Sequence, residues 1–152
     1  MITELNNQCE EVAVKIRAIF QASYSIEASL LNAIDFPPLQ RKLDGFLNSE
    51  NVFYGYLKNA TLVAVVELKV LADALHIQSL VVHPEHFRQG IASKLILFTL
   101  DSYRVGTVTV ETGLANEPAV QLYTAFGFLE TKQWDTDHGV RKIAFRLEKR
   151  RV

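Results

Sequence analysis

The stretch LVVHPEHFRQGIASKLI, Leu80 to Ile96, decides how the chain is read. It leaves a strand-like run, IQSLVV, through His83-Pro84, where proline sets a turn. It then crosses charged residues and a single glycine, Gly90, and enters IASKLILFTLDSYR, which reads as a helix with Ile91, Leu95, Phe98 and Leu97 facing inward. Such a passage is either an ordinary connection or a cradle for a phosphate. A helix start carries free N–H groups and the positive end of the helix dipole. A glycine there lets the backbone approach an anion closely. The amides of Arg88, Gln89, Gly90, Ile91, Ala92 and Ser93 stand at that place, beside the Arg88 guanidinium. The spacing is neither GxGxxG nor GxxxxGK[ST], which excludes the dinucleotide fingerprint and the P-loop.

Upstream, Val12, Ile16, Ile19 and Phe20 repeat at helical spacing after a short apolar start. The pattern weakens at Ser23 to Ser25, and a second helix is expected over Ile26 to Asn32. Pro37 and Pro38 impose an extended or turning segment, and LQRKLDGFLNSE reads as one further short helix despite Gly45. VFYGYL and LKNATLV form a hairpin that turns at Asn59, and TLVAVVELKV is β-rich. In DALHIQSLVV, Leu75, Ile77, Ser79 and Val81 alternate against His76, Gln78, Leu80 and Val82. Downstream, TVTVETG is a strand, and NEPAVQLYTAFG is a helix with Pro118 in its first turn and Gly127 past its end. FLETKQW and VRKIAFRLEK are two more strands joined by TDHG. The order predicts a mixed α/β sheet flanked by helices.

The 152 residues suit one domain, spanning 1–152. A net charge of −1 gives no electrostatic case for nucleic acid or an anionic membrane as partner. One cysteine, Cys9, excludes an internal disulfide and fits a reducing compartment; it reads as a small buried side chain on the first helix. The start MITELNNQCEE lacks the features of a signal peptide, and no apolar run reaches the ~18 residues of a membrane span. The expected location is cytoplasmic, the expected assembly a monomer or homodimer. His83 and His86 have no cysteine or clustered carboxylates to complete a metal site, so no metal is expected. His76 and His138 read as surface residues, and RLEKRRV as a solvated end.

Two motifs, LVVHPEHFRQGIASKLI and VETGLANEPAVQLYTAFGF, stand in this order within about residues 75–130. Together they resemble the GCN5-related N-acetyltransferase (GNAT) superfamily. The resemblance implies the acyl-CoA acyltransferase fold, in which two central parallel strands, here IQSLVV and TVTVET, splay into a cleft for acetyl-CoA. Main-chain groups of Leu80, Val81 and Val82 would pair with the pantetheine arm like an added strand. The amides from Arg88 to Ser93 would hold the pyrophosphate, and Asn116 and Tyr123 match the family's cofactor contacts. One departure stands out: Phe87 fills the first position of the phosphate motif, where the family usually has Arg or Gln. The cradle therefore relies on backbone more than on a side chain there.

The implied reaction moves an acetyl group to a primary amine of a small molecule or peptide. It needs a base for an ammonium with a pKa near ~10, a donor for the oxyanion and an acid for the leaving thiolate. Tyr123 is the candidate acid, and the amide of Val82 or Leu80 the candidate oxyanion donor. Two glutamates compete as base, acting through water. Glu111 shares the E-x4-N-x6-Y spacing of ribosomal-protein N-terminal acetyltransferases; Glu67 lies among valines, where burial tunes a carboxylate's basicity. The acceptor side would be built from SIEASLLNAIDFPPLQ and KQWDTDHGV, with Tyr24, Glu27, Asp35, Phe36, Phe53, Tyr54 and Trp134 on offer for a cationic amine or for the core. A non-catalytic CoA-binding regulatory module of the same fold is the alternative.

Overall fold

The computed structural model of the protein describes residues 1–149. A seven-stranded sheet has the order β1-β2-β3-β4-β5-β7-β6. Its strands are β1 (Ile2–Leu5), β2 (Val52–Lys58), β3 (Thr61–Val70), β4 (Ala74–Val82), β5 (Thr107–Gly113), β6 (Leu129–Asp135) and β7 (Arg141–Glu148). The pairings are antiparallel except β4 with β5, which run parallel. On one face lie α1 (Glu10–Leu31) and the short α2 (Pro37–Gln40) and α3 (Leu43–Leu47). On the other lie α4 (Ile91–Ser102) and α5 (Glu117–Ala125). This is the expected mixed α/β architecture.

Several local expectations are corrected. The short apolar start is itself a strand, β1, which pairs with β2 at the sheet edge. The first helix does not break at Ser23–Ser25. Ser25 Oγ donates to the Gln21 carbonyl (2.7 Å) and Ser29 Oγ to that of Ser25 (3.2 Å), so these hydroxyls bond within the helix rather than compete with it. LQRKLDGFLNSE is not one helix, because Arg41 and Lys42 are extended. Cys9 is exposed, since it precedes the first turn of α1 rather than lying on its buried face. On α4 the core side chains are Ile91, Leu95, Ile96 and Thr99; Leu97 faces solvent, and Phe98 is half-buried edge-on against Tyr54. Of the terminal RLEKRRV, residues 150–152 lie outside the described residues.

The alternation expected along β4 reverses midway. Between β3 and β4 the register runs Glu67↔Ser79 and then Leu68↔Ile77, which leaves Gln78 as an extra residue. Such a bulge bends its strand and flips the side-chain alternation. Leu75 and Ile77 join the core under α4. Past the bulge it is Leu80 and Val82 that pack there, while Val81 joins the α1 core. The parallel pairing of β4 with β5 also stops here, at Ile77↔Val110, although both strands continue. The two central strands splay from this point.

Glu67 holds the bulge from across the ladder. It is fully buried. Arg41 donates to both of its oxygens, Nη1 to Oε1 at 2.7 Å and Nη2 to Oε2 at 3.0 Å. Ser79 Oγ donates to Oε1 (3.2 Å) and Asn51 Nδ2 to Oε2 (2.9 Å). The Arg41 guanidinium lies 4.1 Å from the centre of the Phe46 ring. A buried ion pair adds little net stability when intact but is costly to break on one side. Glu67→Ala is therefore expected to lower stability by about 3–5 kcal/mol, read from the urea midpoint at unchanged m-value. A loss below about 1 kcal/mol, the scale of an exposed pair, would contradict this role.

Candidate active site

The splay leaves one edge of β4 open. His83 N–H donates to the Val63 carbonyl (2.8 Å), and Val81 lies opposite Val65 two residues back. In an antiparallel ladder the intervening residues point their N–H and C=O groups the other way. Val81 thus spends its main-chain groups on β3, while those of Leu80 and Val82 face the opening. The side chains of Leu80 and Val82 line a cavity of about 530 Å³ that reaches the start of α4.

At that start, Gly90 caps α4 with φ of 74° and no side-chain hydrogen bond. A Cβ built on Gly90 would meet nothing within 4 Å, so glycine is required by the backbone conformation and not by crowding. Arg88 also has positive φ, at 62°. Arg88, Gly90, Ile91, Ala92 and Ser93 all line the cavity. Gln89 turns aside, and its Oε1 accepts from Lys58 Nζ (3.0 Å). His83 closes the preceding turn, its Nδ1 accepting from the Glu85 amide (3.2 Å). Phe87 is exposed at the cavity rim.

A second cavity, about 490 Å³, is lined by α1, the Phe36–Pro38 segment, the facing parts of β4 and β5, and His138 to Lys142. Tyr24, Glu27, Leu80, Asn116, Ala119 and Tyr123 line both cavities and so mark where they meet. Asn116 caps α5: its Oδ1 accepts from the Ala119 amide (3.4 Å) and its Nδ2 donates to Glu27 Oε1. Tyr123 is buried, its ring 5.6 Å from Phe128 and 6.0 Å from Phe145. Burial pushes its phenol well above the usual tyrosine range, with Tyr24 and Glu27 adding to the shift. Tyr24 is raised in the same way, by burial and then by Glu27. Burial also raises the Glu27 carboxyl, against hydrogen bonds from Asn116 and Thr112 and the charge of Lys142.

Close packing sets the height of α1 above this junction. A Cβ on Gly113, at the end of β5, would come within 2.5 Å of Leu31 Cδ2. The last turn of α1 therefore rests on bare backbone, and Glu27, one turn earlier, stands over Thr112 and Asn116. Glu27 was legible only as one acidic residue of the acceptor region; nothing in its spacing signals this contact.

The two glutamates singled out as bases have different settings. Glu111 lines the second cavity, is partly exposed, and is paired with Lys142 Nζ at 2.8 Å. Glu67 lines neither cavity, and Arg41, Ser79 and Asn51 engage both of its oxygens. His76 and His138 are not simple surface residues, since both line the second cavity. His76 Nδ1 is 2.7 Å from Thr109 Oγ1, and burial pushes the imidazole below its usual value against the pull of Glu111. Over the outer end, the segment after α1 meets the β6–β7 loop. Ile34 N–H donates to the His138 carbonyl (3.1 Å), the Phe36 and His138 rings lie 6.0 Å apart, and Leu31, Phe36 and Val140 form a small buried cluster. Phe53 is core, and Trp134 lies under Lys132 and Lys142.

The sequence profile of the acetyltransferase (GNAT) family matches residues 13–128. The chain belongs to this family. The Bacillus subtilis protein YqkA, described as a UPF0157 protein, is 32% identical over 155 residues, which is 99% of this chain and 44% of that protein. The chain thus spans less than half the length of that relative. The ribosomal-protein-S18-alanine N-acetyltransferase of Escherichia coli superposes with a TM-score of 0.77 at 21% identity, over 97% of this chain and 92% of that one. The paia N-acetyltransferase of Thermoplasma acidophilum, solved in complex with coenzyme A, gives 0.72 at 17% identity over 95% and 96%. These likenesses establish the fold. Among the described residues no helix is long and apolar enough to cross a membrane.

The conformation at Gly90 carries a measurable consequence. Gly90→Ala should cost about 1–2 kcal/mol, because an L-residue there is forced into the left-handed region without a clash. At roughly 2–4 °C per kcal/mol for a chain of this size, the melting midpoint should fall by a few degrees. An unchanged midpoint would mean that the loop relaxes out of that conformation.

Proposed function

We propose that this chain, a single domain, transfers an acetyl group from acetyl-CoA to a primary amine. The observation that carries this reading is the pair of cavities meeting at Tyr123, Asn116 and Leu80. One runs to a helix start suited to phosphate, and the other runs past His76, Glu111 and Lys142 toward Phe36 and His138. A two-substrate transferase needs such a meeting point, where donor and acceptor are held in line. Membership of the acetyltransferase family and the coenzyme-A complex of a protein of the same fold support acyl-CoA as the donor.

In this reading the amides of Arg88 to Ser93 hold the pyrophosphate, and the pantetheine arm adds alongside the open main-chain groups of Leu80 and Val82. Val81 contributes by fixing β4 to β3. The amide of Val82 or Leu80 faces the thioester oxygen as oxyanion donor. Tyr123, kept protonated by burial, gives its proton to the leaving thiolate. A glutamate carboxylate receives the ammonium proton, directly or through one water. Glu67 acts at a distance by holding the bulge. Glu111 and Lys142 help shape the acceptor cavity, and Phe36 and His138 meet in its lining. A cavity of about 490 Å³ suits a compact amine.

A thiol-release assay over a panel of small amines and peptide N-termini tests the reading. Turnover is expected for a compact amine. Tyr123→Phe should lower kcat by about 10²-fold or more with little change in the dissociation constant for coenzyme A. Tight coenzyme A binding with no turnover across the panel would instead mark a CoA-binding module, and no binding at all would overturn both readings.

A further inference from the structure

We propose that Glu27 of α1 is the base that takes the proton from the acceptor ammonium. The inference rests on the acetyl-transfer reading above and adds a residue to it. Among the three carboxylates near the splay, Glu27 alone lines both cavities, beside Tyr123. Glu67 is held by Arg41, Ser79 and Asn51 and lines neither cavity. Glu111 is paired with Lys142 on the acceptor side only.

The supports of Glu27 fix its aim. Asn116 Nδ2 donates to Oε1, and Asn116 is itself anchored by its cap on α5 and by Thr112 Oγ1 at 3.5 Å. Leu31 on Gly113 sets the helix in place one turn further on. Tyr24 from its own helix, Tyr123 from α5 and Lys142 from β7 act on Glu27 electrostatically; Arg41, His76, Glu111 and His138 line one of its two cavities, and His86 and Arg88 the other. Burial raises the carboxyl, which brings it closer to the basicity useful near neutral pH.

The step balances. The ammonium gives one proton to the Glu27 carboxylate and becomes a neutral amine. Its nitrogen lone pair attacks the thioester carbon, a C–N bond forms, and the C–S bond breaks. Tyr123 protonates the departing sulfur and is reprotonated by the proton that the new amide nitrogen loses. Glu27 returns its proton to solvent.

The experiment measures kcat and kcat/KM against pH for the full chain, for Glu27→Gln, Glu27→Asp and Glu111→Gln, with coenzyme A affinity by calorimetry and a thermal midpoint for each. The proposal expects wild-type rates to fall as pH drops through the Glu27 pKa. Glu27→Gln should lower kcat by about 10²-fold or more and lose that acid limb, with coenzyme A affinity kept. Glu27→Asp should restore the limb at a reduced rate, and Glu111→Gln should keep it. A Glu27→Gln enzyme within about fivefold of wild type and with the same acid limb, or loss of the limb in Glu111→Gln instead, overturns the proposal while wild-type turnover leaves the acetyl-transfer reading standing. Absence of wild-type turnover on every amine overturns both.

Discussion

One extra residue in a central strand, Gln78, shapes the rest of the molecule. At this bulge β4 bends, its parallel pairing with β5 ends, and its inward-facing positions change from odd to even. Without it Leu80 and Val82 would lie under α1, and the sheet would have no reason to open at its centre. With it, two strands diverge, main-chain groups become available along one of them, and two cavities meet at the opening. A sheet interior is normally closed to ligands because its hydrogen bonds are already made. Here the bend leaves a stretch of them unmade, which is costly in isolation and becomes useful once a strand-like ligand arm can pair with it.

The three carboxylates around the opening show how environment divides one functional group among several tasks. Glu67 is surrounded by donors and clamps the bend. Glu111 is half in solvent and pairs with Lys142. Glu27 is desolvated but hydrogen-bonded by only a cap asparagine and a threonine. Burial with complete satisfaction makes a structural ion pair; burial with partial satisfaction makes a group poised to exchange a proton. The Tyr123 phenol is raised by the same desolvation.

From β2 onward the order of strands and helices was legible because their periodicities are local, and so were the Gly90 loop and the Asn116-to-Tyr123 helix, whose signals sit within a few consecutive residues. The bulge was not legible. Alternation in LHIQSLVV looks unbroken, and only pairing with β3 shows that Gln78 is extra. α1 continues through Ser23–Ser25, with the Ser25 hydroxyl bonded to the Gln21 carbonyl one turn back, which composition does not display. Glu27 and Asn116 are 89 residues apart, and their contact exists because Leu31 settles on Gly113. Glu67 drew notice for its place among valines, but the partner that decides its task, Arg41, lies in a segment expected to be helical and found extended.

The most direct test of the open-edge account is a backbone-amide NMR titration with coenzyme A. The account predicts that the amides of Leu80, Val82 and Gly90 to Ser93 shift strongly and gain protection from hydrogen exchange, while Val81, already bonded to β3, changes little. Binding that leaves Leu80 and Val82 unperturbed, or that perturbs Val81 as much as its neighbours, would contradict it.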